Sequence, residues 1–287
     1  MDQSILSEIK EKAQACWKKD LVSVVLFGSF VKGGKYNDID VLIVVEDIKK
    51  SRIDRIEDII KFSDTVDLER PLDVLLYSRR EVESNFRNHN PLFLDITLDG
   101  MVIYDERGFA SDLISETSEY LTSHNIFRKG TRWVFPFRRG VYALSKVTNK
   151  DWIMVWLEDS DRDLLSAKTL HEKDLFEKSV YHCQQCGEKA VKAVILCLGS
   201  FERTHKVSQV LENEARDKKL LSEEIVELVE LSKFLEPAVS LSRYPGLSND
   251  KMWVPSKEYD SESSRKYIEK AEKALLISKK FVEEWLK

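Results

Sequence analysis

The chain has 287 residues, 43% of them hydrophobic and a third charged, with a formal net charge of −5. That length allows one large domain or two ordinary ones, and the mildly acidic balance argues against a surface built throughout for nucleic acid. Four cysteines make no disulfide framework and no apolar run reaches the length of a membrane span, so a cytoplasmic protein is the expectation.

The first stretch, Met1 to Lys19, mixes charged and apolar positions and predicts an amphipathic helix, not a signal peptide. Leu21 to Phe27 predicts a strand, Val41 to Val45 a second, Leu72 to Tyr77 a third, and Met101 to Tyr104, after the Asp99-Gly100 turn, a short fourth. Helical patterns fall at Ser51 to Ser63 and Arg79 to Asn88. The loop between the first two strands is too short for a crossover helix, so the sheet is expected to be mixed. From Arg162 to Gly199 apolar residues recur at helical spacing with almost no breaker, and Leu211 to Leu235 and Ser264 to Leu286 repeat the pattern. These segments predict a helical bundle. Between the halves, Thr131 to Val147 is aromatic and basic and reads as a hairpin or a linker. The expected division is 1–128, a junction at 129–150, and 151–287.

The chemistry concentrates at the first two strands. Val25-Leu26-Phe27 runs into Gly28-Ser29, and after a short polar loop comes Asp38-Ile39-Asp40-Val41. If both acids lie in a strand they share a face, about 6.5 Å apart, and repel by about 2.5 kcal/mol at an effective dielectric near 20. A strand alone does not need that arrangement, whereas a site for divalent cations beside a phosphate does. Asp73, flanked by apolar residues in the third strand, is costly if buried without a partner or a cation, and is expected to face the other two acids.

Gly28-Ser29, Asp38-Ile39-Asp40-Val41 and the later Asp73 resemble the polymerase-β-like nucleotidyltransferase superfamily, most closely its minimal members, over about Leu6 to Tyr104. The resemblance implies a small mixed-sheet domain in which Asp38, Asp40 and Asp73 are catalytic and hold two Mg²⁺ ions. It implies that Gly28, Ser29 and Lys32 bind the phosphates of a nucleoside triphosphate, ATP being the expected one. The hydroxyl of a small molecule or a protein would attack the α-phosphate, with Asp73 helping to remove its proton. The chain departs from the family pattern in a shorter loop, in Val31-Lys32-Gly33 where Ala-Arg-Gly is usual, and in Asn37 where Ser is usual. Lys32 keeps the charge but not the guanidinium fork.

In the second half, Cys186, Ala190, Ala193 and Cys197 form one small apolar helix face, with Glu188 and Lys192 a favourable i,i+4 pair. The Gln-Gln-Cys-Gly-Glu-Lys-Ala helix, Thr204-His205-Lys206 and Arg243-Tyr244-Pro245 resemble a HEPN domain over roughly Asp151 to Lys287. No Arg followed after four to six residues by His is present, which argues against the ribonuclease branch of that family. By resemblance, Lys189, Lys192, His205 and Arg243 line a substrate pocket. Cys183 and Cys186 have the spacing of redox and zinc motifs, but without a second pair packing explains them better.

The expected fold class is therefore α+β, a small mixed-sheet nucleotidyltransferase domain followed by an all-α, HEPN-like bundle. The expected function is Mg-dependent transfer of a nucleoside monophosphate to a hydroxyl. The alternative is a non-catalytic nucleotide-binding or antitoxin-like interaction module. A homodimer through the bundle is allowed, and a nucleic-acid partner for the basic aromatic run is the less favoured reading.

Overall fold

The structure, a computed structural model, describes residues 3–248 and 250–287. Met1 and Asp2, the start of the predicted first helix, lie outside them. The chain divides into two compact units, 1–125 and 126–287.

In the first unit, helix α1 (Gln3–Trp17) leads to β1 (Leu21–Phe27), a one-turn helix α2 (Gly28–Val31) and β2 (Ile39–Val45). Then come α3 (Ile56–Ser63), β3 (Leu72–Ser78), α4 (Arg79–Arg87), α5 (Pro91–Asp99), β4 (Met101–Asp105) and α6 (Phe109–Ser123). The sheet order is β3-β2-β1-β4. Strand β1 is antiparallel to both neighbours and β2 is parallel to β3, so the sheet is mixed. All seven residues of β1 are buried, as a central strand covered on both faces requires.

Side-chain alternation divides the core. Val24, Leu26, Ile39, Val41, Ile43, Val74 and Leu76 face one way, against Ile9 and Ala13 of α1 and Phe62 of α3. Val25, Phe27, Leu42 and Val44 face the other way, against Val82 and Phe86 of α4, Phe93 and Ile96 of α5, and Phe109 and Leu113 of α6. Helix α4 starts at a capping box between Ser78 and Glu81, and α5 at an Asn90 cap with Pro91 in its first turn. Helices α5 and α6 have no counterpart among the predicted elements.

The second unit opens with a hairpin, β5 (Phe127–Lys129) and β6 (Arg132–Val134). Helices α7 (Asn149–His171) and α8 (Phe176–Cys197) follow, then β7 (Ser200–Glu202), which pairs with β6. The chain continues through α9 (Val207–Asp217), α10 (Glu223–Leu235), α11 (Ala238–Leu241), the β8–β9 hairpin (Gly246–Ser248, Lys251–Trp253), α12 (Pro255–Glu258) and α13 (Ser261–Trp285). The uninterrupted pattern expected from Arg162 to Gly199 is in fact two helices. The chain turns between them with Asp174 in the left-handed region at φ 57°, without Gly or Pro. Leu211 to Leu235 likewise breaks, with Lys219 at φ 57° between α9 and α10.

The small face of α8 is the centre of the bundle. Cys186, Ala190 and Ala193 are fully buried, and a β-carbon on Gly187 would come within 2.5 Å of Leu235 Cδ1. The aromatic basic run packs on its own unit. Trp133 is buried, Arg132 pairs with the buried Glu214, and Phe137 and Arg139 both lie against Trp285. Among the described residues, no helix is long and apolar enough to cross a membrane.

Candidate active site

Three short segments meet at one end of the first unit's sheet. Strand β1 ends at Phe27 and the chain turns through Gly28, whose φ of 74° suits glycine. Strand β2, antiparallel, begins at the same end, with Asp40 opposite Phe27. Strand β3, parallel to β2, begins there too, with Asp73 in register with Asp40. In-register residues on adjacent strands are about 4.8 Å apart and share a face, so the two carboxylates are brought together. That face also carries Leu42, Val44, Leu75 and Tyr77, whose neighbours are α4, α5 and α6.

Gly28 completes the arrangement by lacking a side chain. A β-carbon there would fall 1.9 Å from Asp40 Oδ2. The carboxylate therefore occupies the space that any other residue would fill. Ser29, half-buried, follows in α2. Lys32 closes that turn, and its Nζ lies 2.9 Å from Asp99 Oδ2 at the end of α5.

Two expectations change. The one-residue spacing predicts Asp38 in the strand beside Asp40, but β2 begins at Ile39 and Asp38 is an exposed residue in the bend before it. The apolar neighbours of Asp73 predict burial. It is exposed, because β3 is an edge strand and Asp73 is its second residue, so no desolvation has to be offset there. Asp40 is the half-buried member of the three.

The donor set is all carboxylate, which suits a hard cation such as Mg²⁺ better than Zn²⁺. The residues therefore fit the expected metal in kind. Among the described residues, however, no three His, Cys, Asp or Glu side chains stand together as a ready cage. A cavity of about 740 Å³ lies nearby, lined by Lys35, Tyr36, Asn37, Ile39, Glu69 and Arg70 among others. Ile39 faces the opposite side of the sheet from Asp40, so this cavity is a separate space from the acidic row.

Comparison with known proteins locates these residues. A nucleotidyltransferase domain model matches residues 6–104 and a HEPN domain model matches 153–285. The curated protein named "Putative toxin MJ1304", from Methanocaldococcus jannaschii, is 33% identical over 139 residues, covering 47% of this chain and 91% of that protein. The same organism's "Putative protein adenylyltransferase MJ1305" is 30% identical over 115 residues, covering 38% of this chain and 76% of that protein. The chain belongs to the nucleotidyltransferase and HEPN families. It is a nucleotidyltransferase, and Gly28, Ser29, Lys32, Asp38, Asp40, Asp73 and Asp99 all fall inside the matched nucleotidyltransferase domain. Among solved structures, that of ST0689, an archaeal HEPN homologue, is 24% identical with a TM-score of 0.37, covering 45% of this chain and 97% of that one.

The HEPN domain holds two carboxylate-centred clusters on adjoining stripes of α8. Glu188, with its side chain 5% exposed, accepts hydrogen bonds from Lys192 Nζ at 2.7 Å, Gln184 Nε2 at 2.8 Å and His205 Nδ1 at 2.8 Å. Burial pushes the Glu188 carboxyl up, but the Lys192 charge and these three bonds outweigh it and hold it below its usual range. Asp163 of α7 accepts from His182 Nδ1 at 2.8 Å and Lys189 Nζ at 2.6 Å, and Lys189 also reaches Asp159. Burial raises the Asp163 carboxyl, and the bonds from His182 and Lys189 bring it below its usual range.

Lys192 and His205 therefore meet, on Glu188. Lys189 belongs to the neighbouring cluster. Arg243 stands over the rings of Tyr181 and Tyr244. Tyr181 and Glu188 are seven residues apart on one helix, about 10.5 Å along its axis. The structure brings two of the four predicted residues together and leaves the others apart. Burial pushes the Cys183 thiol far up, and the Cys186 thiol up to about 12. Both are buried packing residues.

Proposed function

We propose that the nucleotidyltransferase domain transfers adenylate from Mg-ATP to a hydroxyl, and that the acceptor is a protein side chain. The observation that carries the reading is Asp40 in register with Asp73, set against the bare edge of Gly28. The name of the second curated relative, "Putative protein adenylyltransferase MJ1305", supports a protein acceptor. Fusion to a HEPN domain supports an acceptor of HEPN type.

In this reading Asp38, Asp40 and Asp73 would hold two Mg²⁺ ions, which would lower the pKa of the acceptor hydroxyl and offset charge on the phosphates. The chain's own residues do the rest. The Gly28–Ser29 turn binds the terminal phosphates through backbone N–H groups and the Ser29 hydroxyl. Lys32 adds a positive charge beside them. Asp73, exposed at the edge of the sheet, takes the acceptor's proton as the acceptor oxygen bonds to the α-phosphorus. The bond from the α-phosphorus to the bridging oxygen breaks, and pyrophosphate leaves with the electron pair. Free Mg²⁺ and ATP are cytoplasmic resources, which agrees with a cytoplasmic protein.

The test is incubation of the full chain with ATP labelled at the α-phosphate, Mg²⁺ and a cell extract. Wild type is expected to label a protein band, its own or another, and Asp40→Asn to label none while remaining folded. Equal labelling by Asp40→Asn would overturn the proposal.

A further inference from the structure

The row of charge at the sheet end does not stop at Asp40. Strand β1 has β2 on one side and β4 on the other. Phe27 is opposite Asp40 on the β2 side, and Leu26 is opposite Met101 on the β4 side. Asp99 lies two residues before Met101, so the end of β1 is flanked by Asp40 on one edge and Asp99 on the other. Lys32 bridges to Asp99 at 2.9 Å from the last turn of α2. Its backbone N–H bonds the carbonyl of Gly28, and helical side chains lean back toward the start of their helix. Lys32 is thus tied to the Gly28 turn by its backbone and to Asp99 by its side chain.

Asp99 is poorly explained by the stability of its own helix. It is the last residue of α5, which has no basic residue in its last turn, and a carboxylate there opposes the helix dipole. Its side chain is 16% exposed, while that of Lys32 is 48% exposed. We propose that Asp99 is a positioning residue for nucleotide transfer: it holds the Lys32 ammonium over the Gly28–Ser29 turn, ready for the triphosphate. The proposal rests on the nucleotide site described above and deepens it, since the family's usual guanidinium is here a lysine, a flexible point charge that needs an external anchor.

The experiment is a double-mutant cycle on the full chain. It measures the affinity for a non-hydrolysable ATP analogue with Mg²⁺ by calorimetry, together with KM and kcat for labelling. Asp99→Asn is expected to weaken binding about three- to fivefold, the range of one partly exposed ion pair, and to raise KM with kcat within about twofold. Lys32→Met should bind more weakly still, since it removes the cation and leaves the carboxylate beside the phosphates. In that background Asp99→Asn should improve binding, a reversal of sign that a purely structural role would not produce. Asp99→Glu should keep most of the wild-type affinity. If Lys32→Met weakens binding and Asp99→Asn does not, or if the two effects simply add, the role of Asp99 is overturned and the nucleotide site stands. If Lys32→Met binds like wild type, no phosphate lies at this corner and both fall.

Discussion

Gly28 is the residue on which the site's geometry turns. Its φ of 74° is a left-handed value that a side chain opposes by about 1–2 kcal/mol, and the space beside it is taken by the Asp40 carboxylate. Gly28→Ala therefore forces two changes at once, a strained backbone and a displaced Asp40 carboxylate. We expect a stability loss of about 1–3 kcal/mol, read from the urea midpoint, together with labelling as low as that of Asp40→Asn. A variant that loses stability yet keeps full labelling would separate the fold of the turn from the chemistry. The sequence shows Gly28 as part of a motif but does not show why it must be glycine. That reason is a contact at the ends of neighbouring strands, Gly28 against the Asp40 carboxylate. The Lys32–Asp99 pair escapes a sequence reading for the same reason, because nothing local links a loop lysine to the end of a later helix. Asp73 stands out by its apolar neighbours, but those neighbours suggest burial, and only the strand order reveals an exposed edge.

At the level of elements, the strands are legible because β-branched runs between turn residues admit few alternatives. The helix breaks are not, since both turns in the bundle use a charged residue at positive φ where glycine is the usual signal. Helix α5 hides its start in Asn90-Pro91, where the proline reads as a turn as readily as a first helical residue. The contact between α7 and α8 joins apolar packing to ionic anchoring, through Asp163 on one helix and Lys189 and His182 on the other. Glu188 and Asp163 both have carboxyls held below their usual values in the folded state. The unfolded chain therefore binds more protons in acid. The contribution of these groups is complete above the unfolded carboxylate values near 4 and is lost as pH falls through the lower folded values. We expect the urea midpoint of the HEPN domain to drop steeply below about pH 4. The drop should be shallower in Asp163→Asn and Glu188→Gln, each compared with its own value at pH 7. Parallel profiles for wild type and both variants would mean that these clusters carry no linked protons.

At the scale of the whole molecule, the chain divides into two compact units, and ligand binding offers a way to tell them apart. Every residue assigned to nucleotide and metal lies in the unit ending at Asn125. A ligand that binds only the folded state stabilises what it binds by RT ln(1 + [L]/Kd), about 2.7 kcal/mol at a hundred times Kd. In scanning calorimetry, Mg²⁺ with a non-hydrolysable ATP analogue should therefore raise the transition belonging to the nucleotidyltransferase domain. Mg²⁺ alone should raise it less, because without the nucleotide's phosphates an ion has fewer oxygen ligands there. Asp40→Asn should remove both shifts while leaving the acid-sensitive transition of the HEPN domain where it was. A nucleotide-induced shift that follows the HEPN transition instead would move the binding site onto the helical bundle. Lys192, His205 and Glu188 would then become the groups to mutate first.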